Sequence, residues 1–195
     1  MGVFMSLSDK IWITRKSRIY AEKRLQKNAT LSQILMTFYS ASLVFLAIWN
    51  SHHPNDQVNI ALIFASIAVL VTSIVLSAQK YNERSLAMRN CYIRLDELHS
   101  KAKYGEQIND NNLLQQVESE YTTALLNVEN HTYYDYLCLR FSLRNHRDTT
   151  LPAFTAIDFM QYLWEKFWRM LLISFYFIIP GLLALLWNPV RNVGI

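Results

Sequence analysis

The sequence predicts an all-α membrane protein: a transmembrane helical hairpin continuing into a cytosolic antiparallel helical hairpin, plus a third, C-terminal transmembrane helix. Three observations predict it. Leu31 to Trp49, Val58 to Ala78 and Met170 to Trp187 contain no Asp, Glu, Lys or Arg, and each is about twenty residues long, enough to cross a hydrocarbon core of ~30 Å at 1.5 Å rise per residue. Lys and Arg gather in the segments on one side of these blocks. Between the second and third blocks, apolar residues recur at helical spacing in two runs separated by a polar turn.

Hydrophobic residues make up 52% of the chain, yet a soluble core is excluded by how they are distributed, because the small remainder of the chain could not bury three uninterrupted apolar runs. About thirty residues precede the first run and no small-residue cleavage site follows it, so it is expected to stay in the mature protein as a span. The organisation that follows is a basic N-terminal helix (1–29), a two-span hairpin (30–79), a cytosolic helical hairpin (80–150), and an interfacial segment leading into the third span (151–195).

Orientation comes from the cations, since basic segments next to spans stay in the cytoplasm. Lys10, Arg15, Lys16, Arg18, Lys23, Arg24 and Lys27 precede the first span, whereas the connector Asn50 to Gln57 has no Lys or Arg. Gln79 to Arg169 carries eleven more, from Lys80 and Arg84 to Lys166 and Arg169, and only Arg191 is left for the far side. The N-terminus is therefore expected in the cytosol, the connector outside and the C-terminus outside. The net charge of +4 follows from this topology and from attraction to anionic lipid headgroups, so direct nucleic-acid binding is not required.

Each element has its own signal. The basic N-terminal stretch reads as an orientation signal and surface helix, or as an electrostatic contact with lipids, an activator or a neighbouring subunit. Pro54 with its Asn and Asp neighbours turns the first two spans into a hairpin. Past the second span, Tyr81, Ser85, Met88, Tyr92, Leu95, His99 and Ala102 alternate at four and three, the seam of one helix continuing out of the membrane. Tyr104 to Asn112, with Gly105 and the Asn-Asp-Asn-Asn run, breaks the pattern as a turn. Leu114, Val117, Tyr121, Ala124, Val128, His131 and Asp135 form a second seam on one helix. Counted outward from the turn, His131 and Asp135 should return to the level of Arg84 and Lys80. Arg144 to Ala153, with Asp148 and Pro152, reads as a loop. Aromatic residues from Phe154 to Trp168 favour the headgroup level, and Pro180 and Gly181 should kink the last helix. Cys91 and Cys138 fall in the cytosolic helices and are expected to be reduced.

Residues that could carry chemistry are few. Gln33, Thr37 and Ser40 share one face of the first span, and Ser66, Ser73 and Ser77 one face of the second. They could line a water-filled pathway in an assembly of several copies, or simply let helices approach closely and hydrogen-bond. No charge lies within a span to mark an ion site or proton relay, which argues against a pump or secondary transporter. Glu129, Asn130, His131 and Asp135, with Lys80 and Arg84, form a candidate gate or structural polar network. No nucleophile with a base and no phosphate-cradling loop accompanies them, so no enzymatic activity is expected. His52 and His53 are adjacent in a loop without Cys or carboxylate partners, a poor metal site. The residues call for no cofactor.

Several of these segments together resemble the SLATT family, two-span membrane modules of bacterial conflict systems, and in particular its fifth subfamily, found beside reverse transcriptases. Trp12-Ile-Thr and Arg18-Ile-Tyr-Ala-Glu-Lys-Arg-Leu25 look like its N-terminal helix, and Tyr39-Ser40 falls where its first span begins. Arg89-Asn-Cys-Tyr92 with Leu95 and Leu98 looks like its post-membrane helix. Tyr121 through Leu125-Leu126, then Glu129-Asn130-His131 and Asp135, is the most specific piece. The resemblance implies a homo-oligomeric effector in the bacterial inner membrane. It would sense a signal from a partner, such as a reverse transcriptase or nucleotide-signalling enzyme, and permeabilise the membrane to stop phage propagation. The other class of function is a non-conducting membrane anchor that recruits a cytosolic partner enzyme.

Overall fold

In the computed structural model the described residues are 5–126, 128–144, 151 and 154–186, with side chains described up to residue 178. The loop expected around Asp148 and Pro152, and Arg191, lie outside this description, while Pro180 and Gly181, where a kink is expected, fall within a helix whose side chains are not described there. Six helices follow one another: α1 (Leu7–His52), α2 (Asp56–Ala78), α3 (Tyr81–Ile108), α4 (Asn111–Leu126), α5 (Tyr133–Leu143) and α6 (Ala156–Leu186). Among the described residues there is no strand. Two stretches, Leu7–His52 and Asp56–Ile108, contain a window long and apolar enough to cross a membrane.

The chain divides into two compact units, one of Met1–Lys27 with Tyr81–Glu165 and one of Asn28–Lys80 with Lys166–Ile195. In the first, α3 packs on α4, and the N-terminal part of α1 completes the core. Ile11, Cys91, Leu95, Leu98, Ala102, Val117 and Tyr121 form one buried cluster, and Ala21, Leu25 and Met88 a second. The basic N-terminal stretch is thus not a surface helix. Ile11, Arg18, Ala21 and Leu25 are fully buried, spaced by seven, three and four, which is one helical face. The surrounding cations obscure that face in a reading by composition.

The turn between α3 and α4 is shorter than expected. Gly105 lies inside α3, where a Cβ would come within 3.2 Å of the Leu114 side chain, and the helix runs on to Ile108. Asn109 takes φ 54, a left-handed conformation that Asn tolerates better than most residues. The Asp110 amide then donates back to the Gly105 carbonyl at 3.0 Å. The Asp110 carboxylate in turn accepts from the amides of Asn112 and Leu113, so two residues stop one helix and start the next.

The second unit is built differently. Asn55 caps α2 by accepting from the amides of Gln57 and Val58, and the Asn50 amide donates to the Asn59 side-chain oxygen at 2.6 Å, tying the end of α1 to the start of α2. Beside α1, the Tyr39 hydroxyl donates to the Tyr176 carbonyl of α6 at 2.8 Å, and Phe38 meets Phe177 at 5.5 Å between ring centroids. α2 buries none of its residues. Val44, Phe45, Ile63, Phe64 and Leu70 are all more than half exposed, a surface that suits lipid or other apolar helices and not water.

The second span and the helix after it do not form one uninterrupted helix. α2 and α3 are separated by Gln79 and Lys80, whose amides donate to Leu76 and Ser77 carbonyls, and Lys80 takes φ 50. A non-glycine residue in that region carries strain of roughly 1 kcal/mol.

Candidate functional site

Of the six polar residues expected to line a pathway, the structure brings three together. Thr37, Ser40 and Ser73 line an open groove of about 690 Å³ with Met36, Ala41, Val44, Phe45 and Ile48. Gln33, Ser66 and Ser77 do not line it. The hydroxyls of Thr37 and Ser66 donate to the carbonyls of Gln33 and Ile63 on their own helices. That satisfies each proton in an apolar environment and leaves both lone pairs of the oxygen available. The groove is apolar with a thin line of hydroxyls, and among the described residues of the spans no charge faces it.

The polar residues of the first unit are distributed otherwise than their spacing suggested. His131 and Asp135 are not neighbours on one helix, because α4 ends at Leu126 and α5 begins at Tyr133. Thr132 caps α5. Its hydroxyl and amide both donate to the Asp135 carboxylate at 2.8 and 2.9 Å, and its oxygen accepts from the Asp135 amide, a reciprocal capping box. Heptad spacing across a break mimics a continuous seam, and the Thr-x-x-Asp signature at Thr132 was the signal that marks the restart.

Asp135, almost wholly buried, is held by Arg24, whose Nε and Nη2 donate to its two oxygens at 2.9 and 3.1 Å. Arg84 instead makes a two-point pair with Glu129, at 2.9 and 3.0 Å. Both sides of that pair are more than a third exposed, so it adds little to stability. Asn130 is exposed. Arg24 is the residue that spacing arguments missed, since nothing local links positions 111 apart.

The same device recurs at the start of α6. The Thr155 hydroxyl and amide donate to the Asp158 carboxylate at 2.7 and 2.9 Å, and Arg140 of α5 donates to both of its oxygens at 2.8 Å. The Thr155 hydroxyl, its amide and then the Arg140 guanidinium hold the Asp158 carboxyl below its ordinary range. Arg140 lies over the rings of Tyr136 and Phe154, and Phe141 stacks on Tyr162 with centroids 4.7 Å apart. In each case an arginine from another helix closes on a capping carboxylate, which is charge-assisted and geometrically exacting.

Arg18 stands apart from these pairs. It is fully buried, its Nε has no hydrogen-bond partner, and its Nη1 contact is the Met88 sulfur at 4.0 Å. Burial pushes the His131 imidazole below its ordinary 6.5, and the Arg18 charge acts in the same direction against the opposing pull of Asp135. Burial likewise raises the Cys91 thiol, with Arg18 opposing. No group of three or more His, Cys, Asp or Glu that could hold a metal is found among the described residues.

No curated protein and no solved structure matches the chain. The family model of SMODS and SLOG-associating 2TM effector domain family 5 matches residues 4–187, nearly the whole length. Its two-span description agrees with the two long apolar stretches of the structure, and it is not a known enzyme family. The chain belongs to SLATT family 5, the fifth family of SMODS and SLOG-associating 2TM effector domains.

Proposed function

We propose that this chain is an oligomeric effector of a bacterial anti-phage conflict system that permeabilises the inner membrane when activated. The observation that carries the reading is the outward display of apolar side chains along α1 and α2, with no buried residue in α2, beside a groove carrying the hydroxyls of Thr37, Ser40 and Ser73. A few helices from one chain cannot enclose a pathway, so conduction requires several copies arranged about an axis, with the hydroxyl-bearing sides turned inward. α6 would supply a third span with its C-terminus in the periplasm. The cytosolic unit would receive the activating signal from a partner such as a reverse transcriptase or nucleotide-signalling enzyme. The junction at Lys80 and Arg84 and the polar residues Glu129, Asn130, His131 and Asp135 would transmit it.

Conductance of the purified protein in planar bilayers, with its mass determined in the same detergent, tests this. Discrete steps from a defined oligomer are expected, and Ser73→Leu should lower the unit conductance by narrowing the pathway. A stable assembly that stays silent with and without its activator would replace the pore by a membrane anchor for a partner enzyme.

A further inference from the structure

Seven cations precede the first apolar run, and orienting a span requires only that they be there, not that they share a side of the helix. In α1 they are sorted. Arg15 turns to Asp96 at 2.6 Å, Arg24 turns to Asp135, and Arg18 is buried against Met88. Lys16, Lys23 and Lys27 are half-buried or exposed and make no ion pair among the described residues. Spaced by seven and four, they lie on one helical face, opposite the one that carries Ile11, Arg18 and Leu25 into the core. Trp12 and Tyr20 share that face, each with a lysine over its ring: the Lys16 Nζ stands 5.7 Å from the Trp12 centroid and the Lys23 Nζ 5.7 Å from that of Tyr20. From Trp12 to Lys27 the only carboxylate is Glu22, which is buried. The face is a strip of cations and rings about 22 Å long, without an acid to compensate it.

We propose that this face of α1 docks an acidic helical segment of a partner protein. The inference rests on the part of the proposed function that has a partner act on the cytosolic unit, and not on conduction. Lys16, Lys23 and Lys27 stand two turns and one turn apart, so a second helix with Glu or Asp at the same spacing meets them in interhelical pairs. The rings of Trp12 and Tyr20 give that helix apolar contact area. Other occupants fit less well. A bilayer surface takes a helix by its apolar side, and the apolar side of the N-terminal part of α1 is already in the core. A nucleic-acid strand follows a positively charged groove, whereas the face of a single helix is convex. A second copy has few acids to offer, since Asp96, Asp135, Glu129, Glu97, Glu120 and Asp158 are each held by an arginine.

Fluorescence anisotropy of labelled peptides, titrated with the full chain in nanodiscs of zwitterionic lipid, tests the face. An alanine-leucine helix with glutamates spaced by seven and four should bind about tenfold more tightly than a peptide of the same composition with its glutamates scattered around the helix, and the advantage should fade as salt rises. Lys23→Glu should weaken binding by about fivefold or more. Lys103→Glu, the same charge change at an exposed position of α3, should leave it unchanged. Equal binding of the two peptides, or equal losses in the two variants, reduces the face to unspecific attraction and overturns the proposal. An oligothymidylate or a vesicle of anionic phospholipid that binds more tightly than the patterned peptide, with the same loss in Lys23→Glu, gives the face to nucleic acid or lipid and likewise overturns it. Conductance plays no part in the readout. A silent assembly that binds the patterned peptide keeps the face and loses the pore, and a conducting one that does not bind it keeps the pore and loses the face.

Discussion

Arg24 and Asp135 show how much a single side chain can decide in the first unit. Asp135 has 1% of its side chain exposed and Arg24 13%, so the pair is nearly desolvated, and its geometry is the two-point fork that repays desolvation best. Removing one partner leaves the other charge buried, which is far more damaging than removing both. Arg24→Met should therefore destabilise the protein by about 3 kcal/mol, and adding Asp135→Asn should recover part of that loss because the stranded carboxylate is gone. Chemical denaturation of the single and double variants measures both, and an additive or harmless result would show that the pair is only an accessory to packing. Spacing placed Asp135 among the polar residues worth attention but gave it the wrong partner. Helical periodicity reports neighbours within one element, and Arg24 reaches Asp135 from another.

At the scale of the element, the signals that were legible were those written in local chemistry. Of the α3 seam, Ser85, Met88, Leu95 and Ala102 are buried while Tyr81, Tyr92 and His99 are half-buried, and Cys91 and Leu98 beside it are buried as well; of the α4 seam, Val117 and Tyr121 are buried and Leu114 and Ala124 half-buried. The seam overran its true end, since Val128 and His131 kept the heptad rhythm while the chain between Leu126 and Tyr133 left the helix. The N-terminal part of α1 conceals its role for the opposite reason: its buried face is narrow and includes Arg18, so charge hides the apolar stripe. Turn chemistry was partly visible. Asn109 at φ 54 stops α3 by adopting a backbone that β-branched residues resist. Asn109→Gly should leave stability within about 0.5 kcal/mol, whereas Asn109→Val should cost about 1–2 kcal/mol. Equal denaturation midpoints for the two variants would mean the turn can be rebuilt in another geometry.

For the whole molecule, the two long apolar stretches are readable in the sequence, because water and hydrocarbon impose different compositions, and those differences extend over about twenty residues. An assembly of copies would leave no such mark, because lipid tails and apolar helix faces are chemically alike and exert no strong compositional preference. The role of α6 lies between these cases. At 31 residues it is about 46 Å long, more than a hydrocarbon core needs, and Lys166 and Arg169 divide an aromatic first part from the charge-free run after Met170. Cations at that point and none until Arg191 favour crossing outward from the cytoplasm. Fusion of alkaline phosphatase after Ile195 should then give active enzyme in cells, and a fluorescent protein fused at the same place, which does not mature when exported by the general secretory route, should stay dark. Together with a His53→Cys variant labelled from outside by an impermeant thiol reagent, active phosphatase requires an odd number of spans. Fluorescence without phosphatase activity would keep α6 on the cytoplasmic side, leave two spans, and remove the third helix from any account of the pathway.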